Sequence, residues 1–394
     1  MIENDRKIFN QHFSETKYQE MLRKLYSKFN HVIPFRVGET PVFISDDFKN
    51  HLYKACDEIL EVICKPDYKE LVKNAIPDGL TVPGEDDHTN FLAIDFAVCK
   101  NDKGEIIPQL IELQGFPSLY AYQVFLGEVF KGEYPFLESK QFLQPGVTVD
   151  EYIKTLKEVV LDGNDPRNVI LLEIEPEKQN TYIDFLCTEF LIGIKTVCIS
   201  KVLREGNKLF YEFEGEKIQI NRIYNRVIFD ELQMRDDLPR VFDFSDNLEI
   251  TWAGHPNWFF KISKYTMPFL KSIYVPESSF VNQLAEIPLD LENYVLKPLY
   301  SFSGAGVKFH VLRSDITELT SPENYILQRK VNYEPIIQAP DGMVKAEVRM
   351  LFLWPKNDSK PKMMANLARL SRGEMIGVKF NKDKTWVGGT ICMF

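Results

Sequence analysis

A chain of 394 residues, 44% hydrophobic and 26% charged, has the composition of an ordinary globular protein with room for roughly two or three domains. Its formal net charge of −10 argues against nucleic acid as a main partner, and no apolar run approaches the ~18 residues of a membrane span. The opening MIENDRKIFNQ lacks a signal-type apolar segment and the six cysteines form no CxxC pair, so reduced thiols in a cytoplasmic protein are expected.

The first ninety or so residues read as helical, with apolar positions at helical spacing over Glu20–Phe29 and Asp47–Cys64 and a cap at Ser45 or Asp46. Asn90–Val98 and Ile106–Leu113 then read as two strands joined by the turn at Asn101-Asp102-Lys103-Gly104. From Val149 helices and strands alternate: helices at Tyr152–Val160 and Asn180–Ile192, strands at Asn168–Glu175, Thr196–Ser200 and Ile223–Ile228. That alternation predicts a small parallel sheet with helices on its faces. Leu209–Phe213 and Lys217–Ile220 form a predicted hairpin around Gly215, and a helix is expected over Phe260–Lys271.

The last third is strand-rich, with candidates at Tyr325–Val331, Ala346–Trp354, Met363–Leu370 and Thr385–Thr390. Its most informative stretch is NYVLKPLYSFSGAGVKFHVL, Asn293–Leu312. Two β-prone runs, Tyr294–Lys297 and Val307–Leu312, flank a loop whose Gly304 and Gly306 permit a tight turn with open backbone amides. Lys297 places a positive charge beside that loop, which suits a polyphosphate; a plain hairpin with a small-residue tip is the alternative. A strand rather than a helix is expected after the glycines, so the loop is neither a Walker A loop nor a dinucleotide fingerprint.

Two further groups carry possible chemistry. Asp95 lies in one predicted strand, while Glu112 and Gln114 lie on one face of the next, as oxygen ligands for Mg²⁺ would, or as ordinary acids on a solvated face. Arg349 and Arg369 sit in apolar strands, either as clamps for phosphate or carboxylate or as structural ion pairs with Glu347 or Glu374. Asn221-Arg222 and Asn225-Arg226, at the two ends of a strand, are candidates for binding an anionic substrate or for structural pairing with Asp230 or Glu231. The histidines show no metal spacing, and neither a GxSxG elbow nor an HExxH motif occurs, so no covalent nucleophile or zinc site is indicated. Phosphoryl transfer needs neither.

Together these pieces resemble the ATP-grasp superfamily in its circularly permuted form, the glutathionylspermidine-synthase-like and glutathione-synthetase-like ligases. Lys264 looks like the first ATP lysine and Lys297 the second, with Ser303, Gly304 and Gly306 as the glycine lid. YILQRKV resembles the adenine hinge, with Gln328 where the family often has Glu, and with backbone contacts expected at Arg329 and Lys330. EVRMLFLW resembles the arginine strand at Arg349, and the segment from Asn366 resembles the one bearing Arg369, then Asn381 and Gly388-Gly389. The metal-binding Asp95 and the ELQGFPS run, which would normally follow, stand near the front instead. One departure is Gln114, where the family usually has Asn.

The resemblance implies an α/β (α+β grasp) fold in three parts. Residues 1–120 would hold the N-terminal helices and the permuted metal-binding strands, 121–255 a small parallel α/β domain, and 256–394 the lysine strand, lid, hinge and arginine strands. It also implies an ATP- and Mg²⁺- (or Mn²⁺-) dependent ligase joining a small-molecule carboxylate to an amine or thiol through an acyl phosphate, often as a homodimer. A small-molecule kinase on the same scaffold and a catalytically silent ATP-binding protein are the alternatives.

Overall fold

The computed structural model describes residues 1–300, 305–373, 376, 381 and 383–394. A helix at Glu3–His12 opens the chain, followed by α1 (Glu15–Phe29) and α2 (Asp46–Ile63). In α2 the buried residues Phe48, Leu52, Ala55, Cys56, Ile59 and Ile63 fall on one stripe, which is why this amphipathic sequence is a helix packed against the core. Ser45 stands at its N-cap, but the hydroxyl accepts from the Met1 ammonium at 3.3 Å instead of capping the helix. Asp46 and Asp47 in the first turn complement the helix dipole.

Strands β1 (Phe91–Lys100) and β2 (Ile106–Gln114) follow, then α3 (Tyr120–Glu133) and α4 (Val149–Leu161). Thr148 and Glu151 close a reciprocal capping box at the start of α4. Strand β3 (Val169–Glu173), helix α5 (Tyr182–Ile192) and strands β4 (Lys195–Cys198), β5 (Arg222–Asn225) and β6 (Thr251–Ala253) form the parallel sheet, in the order β6-β5-β3-β4. The hairpin around Gly215 pairs Leu209–Ile220 as expected.

The predicted helix at Phe260–Lys271 is instead broken into Asn257–Lys261 and a 3₁₀ segment, Lys264–Phe269. Ser263 starts the second piece by accepting from the Tyr265 amide at 3.1 Å, and Pro268 cannot continue an α-helical hydrogen-bond ladder. Strands β7 (Ser278–Phe280), β8 (Tyr294–Pro298) and β9 (Tyr325–Arg329) make a small antiparallel sheet in the order β7-β9-β8. It packs on a satellite core of Val281, Leu291, Leu296, Val311, Ile316 and Leu327. The expected strand at Val307–Leu312 is reduced to one bridge, Lys308 with Leu296. Its continuation is diverted because Asp315 captures the Leu312 amide at 2.9 Å and starts the short helix Arg313–Thr317.

Three strands, β10 (Gly342–Leu353), β11 (Lys362–Ser371) and β12 (Gly388–Thr390), complete the chain's largest sheet. Its order is β12-β11-β10-β1-β2, with the short strand Ile337–Ala339 paired to β10 off this path, antiparallel throughout, so strands from the two ends of the sequence lie side by side. Strand β1 is buried along almost its whole length, as a central strand covered on both faces must be. The N-terminal segment also closes on the C-terminus, with Val42 and Phe43 paired in parallel with Cys392 and Met393. All six cysteines are free. No helix among the described residues is long and apolar enough to cross a membrane.

Candidate active site

Strand register brings the predicted acids and arginines together. Asp95 on β1 is opposite Arg349 on β10 and Glu112 on β2, while Glu347 on β10 is opposite Arg369 on β11. Asp95, fully buried, accepts from Arg349 Nε at 2.5 Å and Nη2 at 2.6 Å, and from Arg369 Nη2 at 2.6 Å. Arg369 also pairs with Glu347, whose other oxygen accepts from the Tyr333 hydroxyl at 2.8 Å. An Asp in the middle of an apolar strand is costly unless paired, and here two guanidinium groups pair it. The nearby Glu374 lies outside the described residues.

The two lysines approach the same face from the other side. Lys297, near the end of β8, is 7% exposed and donates to the Ile111 carbonyl at 3.0 Å. Lys264, at the start of the 3₁₀ segment, is 5% exposed. Burial lowers the pKa of both, that of Lys297 to about 8, and Glu112 opposes the shift in each. Burial alone would raise the Glu112 carboxyl, but Lys264, Arg349, Arg369 and Lys297 together hold it below its usual value. A phosphate arriving beside Lys297 favours the charged amine, so its pKa rises on binding. A nucleotide held beside Lys297 would therefore take up protons on binding near pH 8.5 and bind more weakly as the pH passes 8. Calorimetry in two buffers of different ionisation enthalpy checks this, and a buffer-independent heat would contradict it.

For a divalent cation the described donors fit in part. Glu112 and Gln114 share a face of β2, with Gln114 Nε2 donating to Glu112 Oε1 at 2.6 Å, so the amide would turn its oxygen toward a cation held by the carboxylate. Magnesium typically takes one or two protein oxygens and fills its shell from phosphates and water, which this pair allows. Asp95 is placed differently from the expectation, since both of its oxygens are occupied by Arg349 and Arg369. Among the described residues no three His, Cys, Asp or Glu side chains form a metal-sized cluster.

A cleft of about 1290 Å³ opens over this face. Lys264, Lys297, Arg369, Glu112, Gln328, Arg329 and Lys330 all line it; Arg349 and Asp95 lie beneath. Its basic lining also includes Arg36, Lys345 and Lys384, against the acids Glu112, Glu347 and Asp383. A chain of net charge −10 thus concentrates positive charge in one cavity, as polyanion binding requires.

Gln328 on β9 stands out in that wall. It is 0% exposed, and neither its amide oxygen nor its nitrogen has a hydrogen-bond partner. Burying an unpaired amide is costly, so a ligand edge offering one donor and one acceptor fits here. The backbone amides of Arg329 and Lys330 are already donated, to Glu277 at 2.9 Å and Asn293 at 2.8 Å, and so are not free for adenine. Gly306 has φ +71° and lies against Pro298, turning the chain back toward β8. Ser303 and Gly304 lie outside the described residues.

Other sequence candidates separate clearly. Arg222 is consumed structurally, donating to the Val159 and Val160 carbonyls and to Thr251. Arg226, 3% exposed, sits between the Phe116 and Phe185 rings with Nε and Nη1 unpartnered. Asn381 braces the loop after β11 by accepting from the Arg372 and Gly373 amides. Several cleft residues carried no sequence signal as site candidates, among them Arg36, Tyr333, Lys345, Lys384 and, beyond its pairing, Glu347. Only the alternation within AEVRM, which sets Glu347 and Arg349 on one face, marked any of them in advance.

No family model matches this sequence, and no curated protein matches it. Among solved structures, the chain is similar to a glutathione synthetase like-effector (GSS30) from Globodera pallida in its apo form. The TM-score is 0.57 at 10% identity, over 90% of this chain and 94% of that one. At that identity the likeness speaks for the fold alone.

Proposed function

We propose that this protein is a circularly permuted ATP-grasp ligase that activates a small carboxylic acid with ATP and joins it to an amine or thiol. The observation that carries the reading is Gln328, a buried amide with both polar atoms unmet on the wall of a strongly basic cleft. The adenine edge offers the matching donor–acceptor pair, and glutamine reads adenine in this way elsewhere. The phosphates then extend toward Lys297 and Lys264. That residues 91–114 and 342–390 share one sheet supports this reading.

In this reading the carboxylate oxygen of the acid attacks the γ-phosphorus and ADP departs, leaving an acyl phosphate. The amine nitrogen then attacks the acyl carbon and expels phosphate. Lys264 and Lys297 hold the phosphates, and Arg369, on the cleft wall, orients the carboxylate and offsets charge on the transferring group. Arg349 acts from beneath, sharing Asp95 with Arg369 and so fixing the guanidinium plane. Glu112 and Gln114 would hold Mg²⁺, which supplies charge neutralisation between phosphate oxygens.

The test is Gln328→Leu. Removing an unpaired buried amide should raise the stability of the nucleotide-free protein by about 1 kcal/mol, while weakening ADP binding about tenfold or more. Chemical denaturation and calorimetric titration read the two effects. A variant that binds ADP like the parent would remove adenine from this wall.

A further inference from the structure

An amine that attacks an acyl phosphate must shed an N–H proton as its bond to carbon forms, and a closed cleft excludes the water that would take it. Among the described residues no histidine or cysteine lines the cleft, and its acids are Glu112, Glu347 and Asp383. Glu112 faces Lys264 and Lys297, at the phosphate end, and Asp383 lies on the loop before β12. Glu347 is the acid paired with Arg369, where the reacting carboxylate would be held.

Strand register sets Glu347 on β10 between Arg369 of β11 and Ala97 of β1. The segment leaving β9 crosses β1 just beyond, where Tyr333 bridges Cys99 and the Glu334 amide donates to the Val98 carbonyl at 2.9 Å. From there the Tyr333 hydroxyl donates to Glu347 Oε2 at 2.8 Å, and both side chains line the cleft. A phenol that donates its one hydrogen can still accept another at its oxygen. Arg369 has donors to spare: Asp95 and Glu347 share its Nη2, and its Nε is buried without a partner. An acyl group held there lies beside the Glu347–Tyr333 pair. Burial raises the Glu347 carboxyl above its usual value; Arg369 opposes this, while Asp95 and Glu112 add to it. Burial and Glu347 likewise push the Tyr333 phenol up, so it keeps its proton until another arrives.

From this arrangement, and resting on the ligase reading above, we infer that Tyr333 is a catalytic residue that relays the proton of the attacking amine to Glu347. The amine nitrogen bonds to the acyl carbon, its proton moves to the phenol oxygen, and the phenol's own proton moves to the Glu347 carboxylate. As the acyl C–O bond breaks, a proton returns by the same path to the departing phosphate, leaving the amide and HPO₄²⁻.

Competition between methylamine and hydroxylamine tests this on the full chain with Mg·ATP. The acid is whichever of acetate, N-acetylglycine, glutarate and benzoate yields most hydroxamate. Hydroxylamine is the much weaker base, so the proton it sheds after attack is more acidic and depends less on a relay. Tyr333→Phe keeps the ring and should lower the ratio of amide to hydroxamate by at least about tenfold. Glu347→Gln should lower it in the same direction. A role limited to bracing Arg369 would lower both products alike and leave the ratio where it was. An unchanged ratio in either folded variant, or a parent that makes hydroxamate but no amide, would overturn the assignment. A parent that makes no hydroxamate from any of these acids would instead count against the ligase reading itself.

Discussion

Lys297→Met should cut ATP turnover by about 10²–10³-fold while leaving the fold intact. The methionine stem fills the space of the lysine stem, so packing around β8 is largely kept. What goes is one buried positive charge and the hydrogen bond to the Ile111 carbonyl, a loss of about 1 kcal/mol in stability. Glu112 remains flanked by Lys264, Arg349 and Arg369, so its charge stays compensated. The large effect falls on phosphate binding, where a desolvated cation has no water to replace it. Steady-state turnover and a melting curve on the same sample read both sides, and unchanged turnover would remove Lys297 from the site.

Asp95→Asn should destabilise the protein by about 3–5 kcal/mol. The substitution keeps the shape of the side chain and removes the charge that two arginines share. Arg349 is 7% exposed and already committed to Asp95 through Nε and Nη2, so no water is at hand to take over. The cost is that of a buried cation stripped of its bidentate partner, with only Glu112 at 3.9 Å left to Arg349, rather than of one lost hydrogen bond. Urea denaturation checks it. Replacing Asp95, Arg349, Arg369 and Glu347 together by apolar residues should recover much of the loss, because Glu112 keeps Lys264 and Lys297 and no lone charge is then left buried. A loss below about 1 kcal/mol in the single variant would mean that the network is not held by this carboxylate.

These two residues also show what could be read from the sequence. Lys297 was legible because a lysine before a Ser/Gly-rich loop is a local pattern, and the strand that carries it formed where expected. Asp95 was legible as a misfit, an acid inside an apolar strand, but its partner was not. Arg349 lies far along the chain, and only the pairing of β1 with β10 brings the two opposite each other. Pairing between distant strands leaves no periodic trace in one sequence, so the acid read first as a metal ligand emerges here as an anchor for arginines. The same limit explains Arg36, which enters the cleft only because the N-terminal arm closes on Gly389. Local competition accounts for the other differences. Asp315 captured a backbone amide and ended the strand expected through Leu312, and Pro268 with Ser263 broke the helix expected at Phe260–Lys271.

Thermal melting with Mg²⁺ and ATP or ADP, compared with Mg²⁺ and GTP and with ATP in EDTA, tests the central claim most directly. The account predicts a rise of several degrees that needs both the adenine nucleotide and the metal, since only the folded cleft binds them. An equal rise with GTP would contradict the role of Gln328. No rise under any condition would contradict a nucleotide site in this cleft altogether.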